Sequence, residues 1–366
     1  MITATISAFD NYFVGYYPHT LGTSTVETLW MSAVLPGVEK ILDHKWVYGD
    51  YYVASTENVD GTYSMWQSNN VARSWTKRFT TNSKIVVFSL YDLGVVELFT
   101  DNNKMYESTN SGGSYTLKSS NAPNVKDFAV TGFIFGNSRD IVTHNGDSIS
   151  LTQDRGGTFT KTLNLTDTYS QSELLHPTIS TYGMDVIASA SNDVVQSPYS
   201  GDVGTWNTFK SFDSREYVKH LVASPINHTK ATTLPSFIAV TDNRPNYNSS
   251  VYHSTNAWEW NDTLILSTAP KSKPVGYTIK SNEGIVTTVY AMSIKIPKRT
   301  LDQINYHRWL VASHPTSGLA YTSWVNAQPT VSNDPTLVNT LAKSIDFGQS
   351  WEIANEHTPL VFSNVW

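Results

Sequence analysis

The chain has 366 residues and a mass of 40.7 kDa, with 25 Lys+Arg against 31 Asp+Glu, a formal charge of −6. Charged residues are only 15% and aromatics 12%, the reverse of a disordered composition, so the chain folds. The lack of cysteine excludes disulfide scaffolds, thiol catalysis and cysteine-ligated zinc or iron–sulfur sites. No basic block offers the phosphate contacts of a nucleic-acid binder.

Met1 to Asp10 has neither a positive n-region nor a continuous apolar run, so it reads as no signal peptide. No stretch reaches the apolar length needed to insert in a bilayer. Short runs rich in Val, Ile, Tyr, Thr and Phe recur, broken by Asn, Asp, Gly and Ser clusters. Lys84–Leu90, Asp185–Ala190 and Ser236–Thr241 are such runs. Helical periodicity is nearly absent, and many short strands predict an all-β sandwich, barrel or propeller.

A repeat decides among these. The pattern Ser/Thr-x-Asp/Asn-x-Gly-x-Ser/Thr-aromatic first occurs from Ser68 through Asn70 and Ser74 to Trp75, with Ala72 in place of glycine. It returns complete at Ser108, Asn110, Gly112, Ser114 and Tyr115, and again at Thr152, Asp154, Gly156, Thr158 and Phe159. A copy from Ser197 to Trp206 carries two extra residues, and one from Ser254 to Trp260 has lost one. The last, Ser344, Asp346, Gly348, Ser350 and Trp351, is complete. Each reads as a hairpin turn: the Asp or Asn side chain bonds turn N–H groups, glycine supplies positive φ, and the aromatic is buried as the next strand opens.

This pattern resembles the Asp-box, or BNR repeat, of sialidase-like, sortilin-like and xyloglucanase-like β-propellers. The resemblance implies a single propeller of four-stranded antiparallel blades, each box joining the third and fourth strands and lying away from the substrate pocket. Copies start at 68, 108, 152, 197, 254 and 344. The last interval is twice a blade, which predicts a boxless blade there, its hairpin running from Tyr290–Lys295 into the Pro297–Thr300 turn. Counting it gives seven blades; six is the alternative, if residues 260–340 hold one enlarged blade. Residues 1–30 are expected to be an N-terminal arm or ring-closing strand, or an incomplete blade, and residues 31–366 the propeller.

The box residues are read as turn-formers and not as catalysts. A sialidase would need three arginines around a carboxylate, yet no arginine precedes Arg73. A glycoside hydrolase using two carboxylates at the propeller mouth stays open as an alternative, with Asp43, Asp50, Asp185, Asp213 and Asp242 as the acids outside boxes. The histidines, among them His144, His176, His220 and His307, show no metal-site spacing. No cofactor is expected; a structural calcium ion, which needs only oxygen ligands, stays open. Of the ring-and-polar groupings, Trp258–Trp260 reads mainly as core, while Tyr306 and Trp309 are the candidate ligand-binding residues.

The function expected is a non-enzymatic structural or binding module. A polar surface rich in Asn, Ser, Thr and Tyr suggests a virion component (tail, spike or capsid-associated) or another exposed protein. Its partners would be structural proteins or a cell-surface glycan or receptor, with homo-oligomers also expected. A sortilin-like peptide receptor or assembly factor is the other alternative.

Overall fold

A computed structural model describes residues 5–9, 12–21, 24–31, 34–48, 51–70, 72–91, 94–132, 139–223, 236–243, 249–266, 274–280, 286–297, 337–344, 346 and 348–353. Among these residues lie seven antiparallel sheets, six of four strands and one of three, in strict chain order. The three-stranded sheet is β1 (Thr5–Phe9), β2 (Tyr12–Leu21) and β3 (Ser24–Met31). The next is β4 (Val38–Tyr48), β5 (Tyr51–Asn58), β6 (Tyr63–Ser68) and β7 (Thr76–Thr81), then β8 (Ile85–Tyr91), β9 (Val95–Thr100), β10 (Met105–Ser108) and β11 (Thr116–Ser119). There follow β12 (Asp127–Gly132), β13 (Arg139–His144), β14 (Ser148–Thr152) and β15 (Thr160–Asn164), and β16 (Ile179–Tyr182), β17 (Asp185–Ala190), β18 (Asp193–Ser197) and β19 (Asn207–Ser211). The last two sheets are β20 (Glu216–Ala223), β21 (Phe237–Asn243), β22 (Ser249–Ser254) and β23 (Asn261–Leu266), and β24 (Val275–Lys280), β25 (Val286–Pro297), β26 (Leu337–Ser344) and β27 (Glu352–Ile353). The only helical element among the described residues is a 3-10 turn at Leu165–Asp167. This is the expected all-β propeller architecture.

The sequence of each strand fits its place in the blade. Second and third strands such as β9 and β14 are buried along their whole length, because neighbouring sheets cover both faces. Fourth strands such as β7 (Thr-Lys-Arg-Phe-Thr-Thr) and β11 are largely exposed, and their polar residues blunt the outer edge. Within five sheets the third and fourth strands slip register at one place, between Met65/Trp66, Met105/Tyr106, Ile149/Ser150, Val194/Val195 and Val251/Tyr252. A bulge repeated at the same offset before these five turns twists the outer edge of those five blades alike.

The core is therefore a series of layers between sheets. Val53 and Met65 meet Phe88, Val96 and Leu98; Phe99 and Met105 meet Val125, Phe128 and Ile141. Val142, Ile149 and Leu151 pack on Ile179, Val186 and Val195, and Ile187 and Val194 on Leu221 and Phe237. Each such side chain, fully buried, stabilises the fold by about 1.5–3 kcal/mol relative to exposure.

One expectation is corrected. Tyr290–Lys295 lies within β25, which pairs with β26 in the sheet that carries the last repeated turn, so the described residues between 275 and 353 belong to one sheet, while residues 298–300 of the expected turn lie outside the described residues. The added sheet comes instead from residues 5–31, with β1 set against β4.

Candidate binding site

All six repeated turns join a third to a fourth strand, and their polar groups bond inward. The carboxylate or amide oxygen of the Asp or Asn accepts the N–H four residues on: Ser74 to Asn70 (2.9 Å), Ser114 to Asn110 (2.9 Å), Thr158 to Asp154 (2.8 Å) and Ser350 to Asp346 (2.9 Å). The first hydroxyl accepts the glycine N–H: Gly112 to Ser108 (3.0 Å), Gly156 to Thr152 (2.8 Å), Gly201 to Ser197 (3.1 Å) and Gly348 to Ser344 (2.8 Å). In the turn of 68–75, Ser68 Oγ donates to Asn70 (3.0 Å), and the shortened turn of 254–260 keeps the bond from Ser254 to Asn256 (3.1 Å).

Hydrogen bonds hold Asp154 at a pKa of about 2, the largest from the Thr158 N–H, then those from the Thr152 and Thr158 hydroxyls. Burial opposes the same effect at Asp346, yet bonds from Ser350 and Ser344 still leave its pKa lowered. Positive φ extends one residue further than the glycine, as at Ser111 and Arg155. The closing aromatics Trp75, Tyr115, Phe159, Trp206, Trp260 and Trp351 all pack into the inter-sheet layers. Trp258, by contrast, is 65% exposed, edge-on to Phe209 at 4.5 Å.

In consecutive antiparallel strands the connections alternate between two ends. The repeated turns lie at one end, and the second-to-third turns and the sheet-to-sheet connections lie at the other. A cleft of about 640 Å³ opens at that other end. It is lined by Lys126 and Asp127 at the start of β12, Asn145–Asp147 between β13 and β14, Leu174–Thr178 before β16, and Lys219–His220 on β20. Three sheets thus contribute to one wall.

The lining is built rather than incidental. Asp127 accepts the Ile179 N–H at 2.8 Å, and the Thr178 hydroxyl accepts the Leu221 N–H at 3.2 Å, so side chains tie the first strands of successive sheets together. Ser189 Oγ donates to the His176 carbonyl (2.8 Å) and accepts the Thr178 N–H (3.1 Å). Asp242 lies 3.8 Å from His176 Nε2 and 3.9 Å from Lys219 Nζ, joining the connection before β16 to β20. Leu175 stays 37% exposed at the rim.

His144 and His176 share a second, narrow recess with Glu173, Ser189 and Tyr217, while His176 and His220 both line the cleft. Histidines that look scattered in sequence therefore converge. Residues 144, 176 and 220 stand about one blade interval or less apart, and that interval was the signal available. Among the described residues no group of three or more His, Cys, Asp or Glu is placed to hold a metal ion.

Four of the five acids considered for hydrolysis are engaged locally. Asp43 has its pKa raised by burial, offset in part by Lys45 at 3.4 Å; Asp185 is raised by burial and bonded by Gln196; Asp213 pairs with Arg215 at 3.7 Å. Asp242 joins Lys219 and His176 as above. Asp50, Tyr306 and Trp309 lie outside the described residues.

No family model matches the chain, and no curated protein matches its sequence. Among solved structures it is similar to Saccharomyces cerevisiae Sqt1, with 9% identity and a TM-score of 0.53 over 79% of this chain and 78% of that one. It is also similar to YCF48 from Cyanidioschyzon merolae, with 12% identity and a TM-score of 0.48 over 90% and 87% of the two chains. What the likeness to Sqt1 shows is the fold alone, a β-propeller.

Proposed function

We propose that the chain is a non-enzymatic β-propeller that binds a segment of another protein at the cleft face. The observation that carries this reading is the mixed lining of the cleft. Lys126, Lys219, Asp127 and Asp147 offer both charges, His176 and His220 offer ring nitrogens, and Leu174, Leu175 and Pro177 offer apolar surface. A polypeptide presents that same combination, and concave sites with a few placed polar groups are where propeller-sized domains hold ligands.

We propose in addition that the six turns are Asp-box turns of the sialidase-like propeller superfamily. Support comes from the position of every copy between third and fourth strands and from the recurring bonds to the Asp or Asn and to the first hydroxyl. A virion or other exposed assembly is the setting that the composition favours, being rich in Asn, Ser, Thr and Tyr and without cysteine.

The test is to pan a displayed random-peptide library against the purified chain and to measure the enriched peptides on three variants. Leu175→Asp and Lys219→Glu should each weaken binding at least about tenfold, or about 1.4 kcal/mol. Trp258→Ala, at the opposite end, should leave binding unchanged. Peptides that bind both cleft variants as tightly as the parent chain would overturn the reading.

A further inference from the structure

We propose that Asn145 is a self-modifying residue: its side-chain amide cyclises onto the Gly146 backbone nitrogen, between a base on His144 and two donors on Ser148, and water opens the imide to aspartate or isoaspartate. Asn145-Gly146 is the one Asn-Gly pair in the chain. Glycine leaves the attacking nitrogen unshielded by any side chain, and its φ of +100 turns the β13–β14 hairpin.

Both reacting groups are already held by the residues that the reaction needs. The Gly146 N–H donates to His144 Nδ1 at 3.1 Å. A backbone N–H can only donate, so Nδ1 is the unprotonated nitrogen and the ring proton sits on Nε2, which donates to the Ser189 carbonyl at 2.9 Å. That second bond fixes the tautomer in which His144 can act as base. On the other side, Asn145 Oδ1 accepts the Ser148 N–H at 2.7 Å and the Ser148 hydroxyl at 3.2 Å. These two donors point at the oxygen where negative charge develops. The Asn145 N–H to Ser148 carbonyl bond (3.1 Å) and the Leu165 N–H to Asp147 carbonyl bond (2.9 Å) hold the turn in place.

The step balances without any oxidant or reductant. The Gly146 nitrogen forms a bond to Asn145 Cγ as its proton passes to His144 Nδ1. The carbonyl electron pair moves to Oδ1, where Ser148 stabilises it. Collapse re-forms the carbonyl and breaks the Cγ–Nδ2 bond, and Nδ2 takes the proton from His144 and leaves as ammonia. Water then adds to either imide carbonyl and opens the ring. Asn145 lies on the cleft, so the product adds a carboxylate to a wall that also carries Lys126, His176 and Lys219.

The experiment incubates the full chain at neutral pH, native and in parallel unfolded in urea, and follows Asn145 by peptide mapping with isoaspartate detection. The native chain should convert Asn145 faster than the unfolded chain does, since only the folded turn assembles the base and donors. His144→Gln should slow native conversion by about 100-fold or more, the usual contribution of a positioned base. Because His144 is buried, Ser148→Ala, which keeps the backbone donor, is the second variant; it should slow conversion several-fold with the circular dichroism spectrum unchanged. Native conversion no faster than unfolded would overturn the proposal. So would fast native conversion that Ser148→Ala, or a folded His144→Gln, leaves unaltered.

Discussion

Gly112→Ala separates what the repeated turn demands of its backbone from what it demands of its neighbour. Gly112 has φ +84, and an added Cβ would lie 2.5 Å from Val53 Cγ1 and 3.1 Å from the Tyr115 hydroxyl oxygen. Val53 is fully buried on β5 of the preceding sheet, and its β-branched side chain cannot swing aside. The left-handed backbone costs an alanine about 1 kcal/mol, and forcing a methyl into a filled layer costs about 1–3 kcal/mol more. Gly61→Ala is the control: φ is +78, but no atom lies within 4 Å of the added Cβ, so only the backbone cost of about 1 kcal/mol applies. Urea unfolding followed by tryptophan fluorescence should place Gly112→Ala below Gly61→Ala by about 1–3 kcal/mol, read from the midpoint at constant slope. Equal losses in the two variants would refute the packing argument. Ala72 already occupies the equivalent position with φ +59, buried among Leu35, Val38 and Trp66, so the neighbour and not the turn decides whether a methyl fits.

Two further outcomes concern protonation. Asp154→Asn should leave stability near neutral pH almost unchanged, since Asn70 and Asn110 accept the same N–H bond; Asp154→Ala should cost about 1–2 kcal/mol by the same unfolding assay. The Asp154 pKa is depressed to about 2 from 3.8, so its contribution is complete above the unfolded value and lost as pH falls through the folded one. Asp154→Asn should therefore flatten the acid limb of the stability curve, and an unaltered limb would count against the hydrogen-bond account. His253 is shifted down by burial, with the Asp346 charge opposing, and its Nε2 lies 2.9 Å from Ser236 Oγ. Below the unfolded histidine value, near 6.5, the unfolded chain takes up a proton that the folded one resists, so stability falls as pH drops. His253→Gln should lose less stability than the parent between about pH 7.5 and about pH 5.5; an equal loss would contradict the assignment.

The repeated turns were legible because each is self-contained: every bond that defines Thr152–Phe159 is made to a partner within it. The same property explains the misplaced sheet. The pattern reports only third-to-fourth hairpins, so a sheet of three strands is silent, and β1–β3 left no signature. In the doubled interval before Ser344, the described strands β25, ending at Pro297, and β26, starting at Leu337, pair in one sheet. Interval counting assumes constant connections, and sheets constrain only their strands.

The cleft was illegible for the opposite reason, since no local window contains it, but its register is in the sequence. Most side-chain bonds between neighbouring sheets recur at nearly one separation, although those from β12 to β16 span 51 and 52 residues. Lys45 donates to the Phe88 carbonyl across 43 residues, Gln67 to Ser111 across 44, Trp206 to Thr162 across 44, and His144 joins Ser189 across 45. The Leu221 and Ala223 N–H groups reach the Thr178 and Ser180 hydroxyls across 43. A blade repeat makes residues one interval apart into neighbours on adjacent sheets, as i and i+4 are neighbours on a helix. His176 and His220, 44 apart, line the same cleft by that rule. Polar residues that fall one blade interval apart are thus a sequence signature of side chains that join neighbouring sheets.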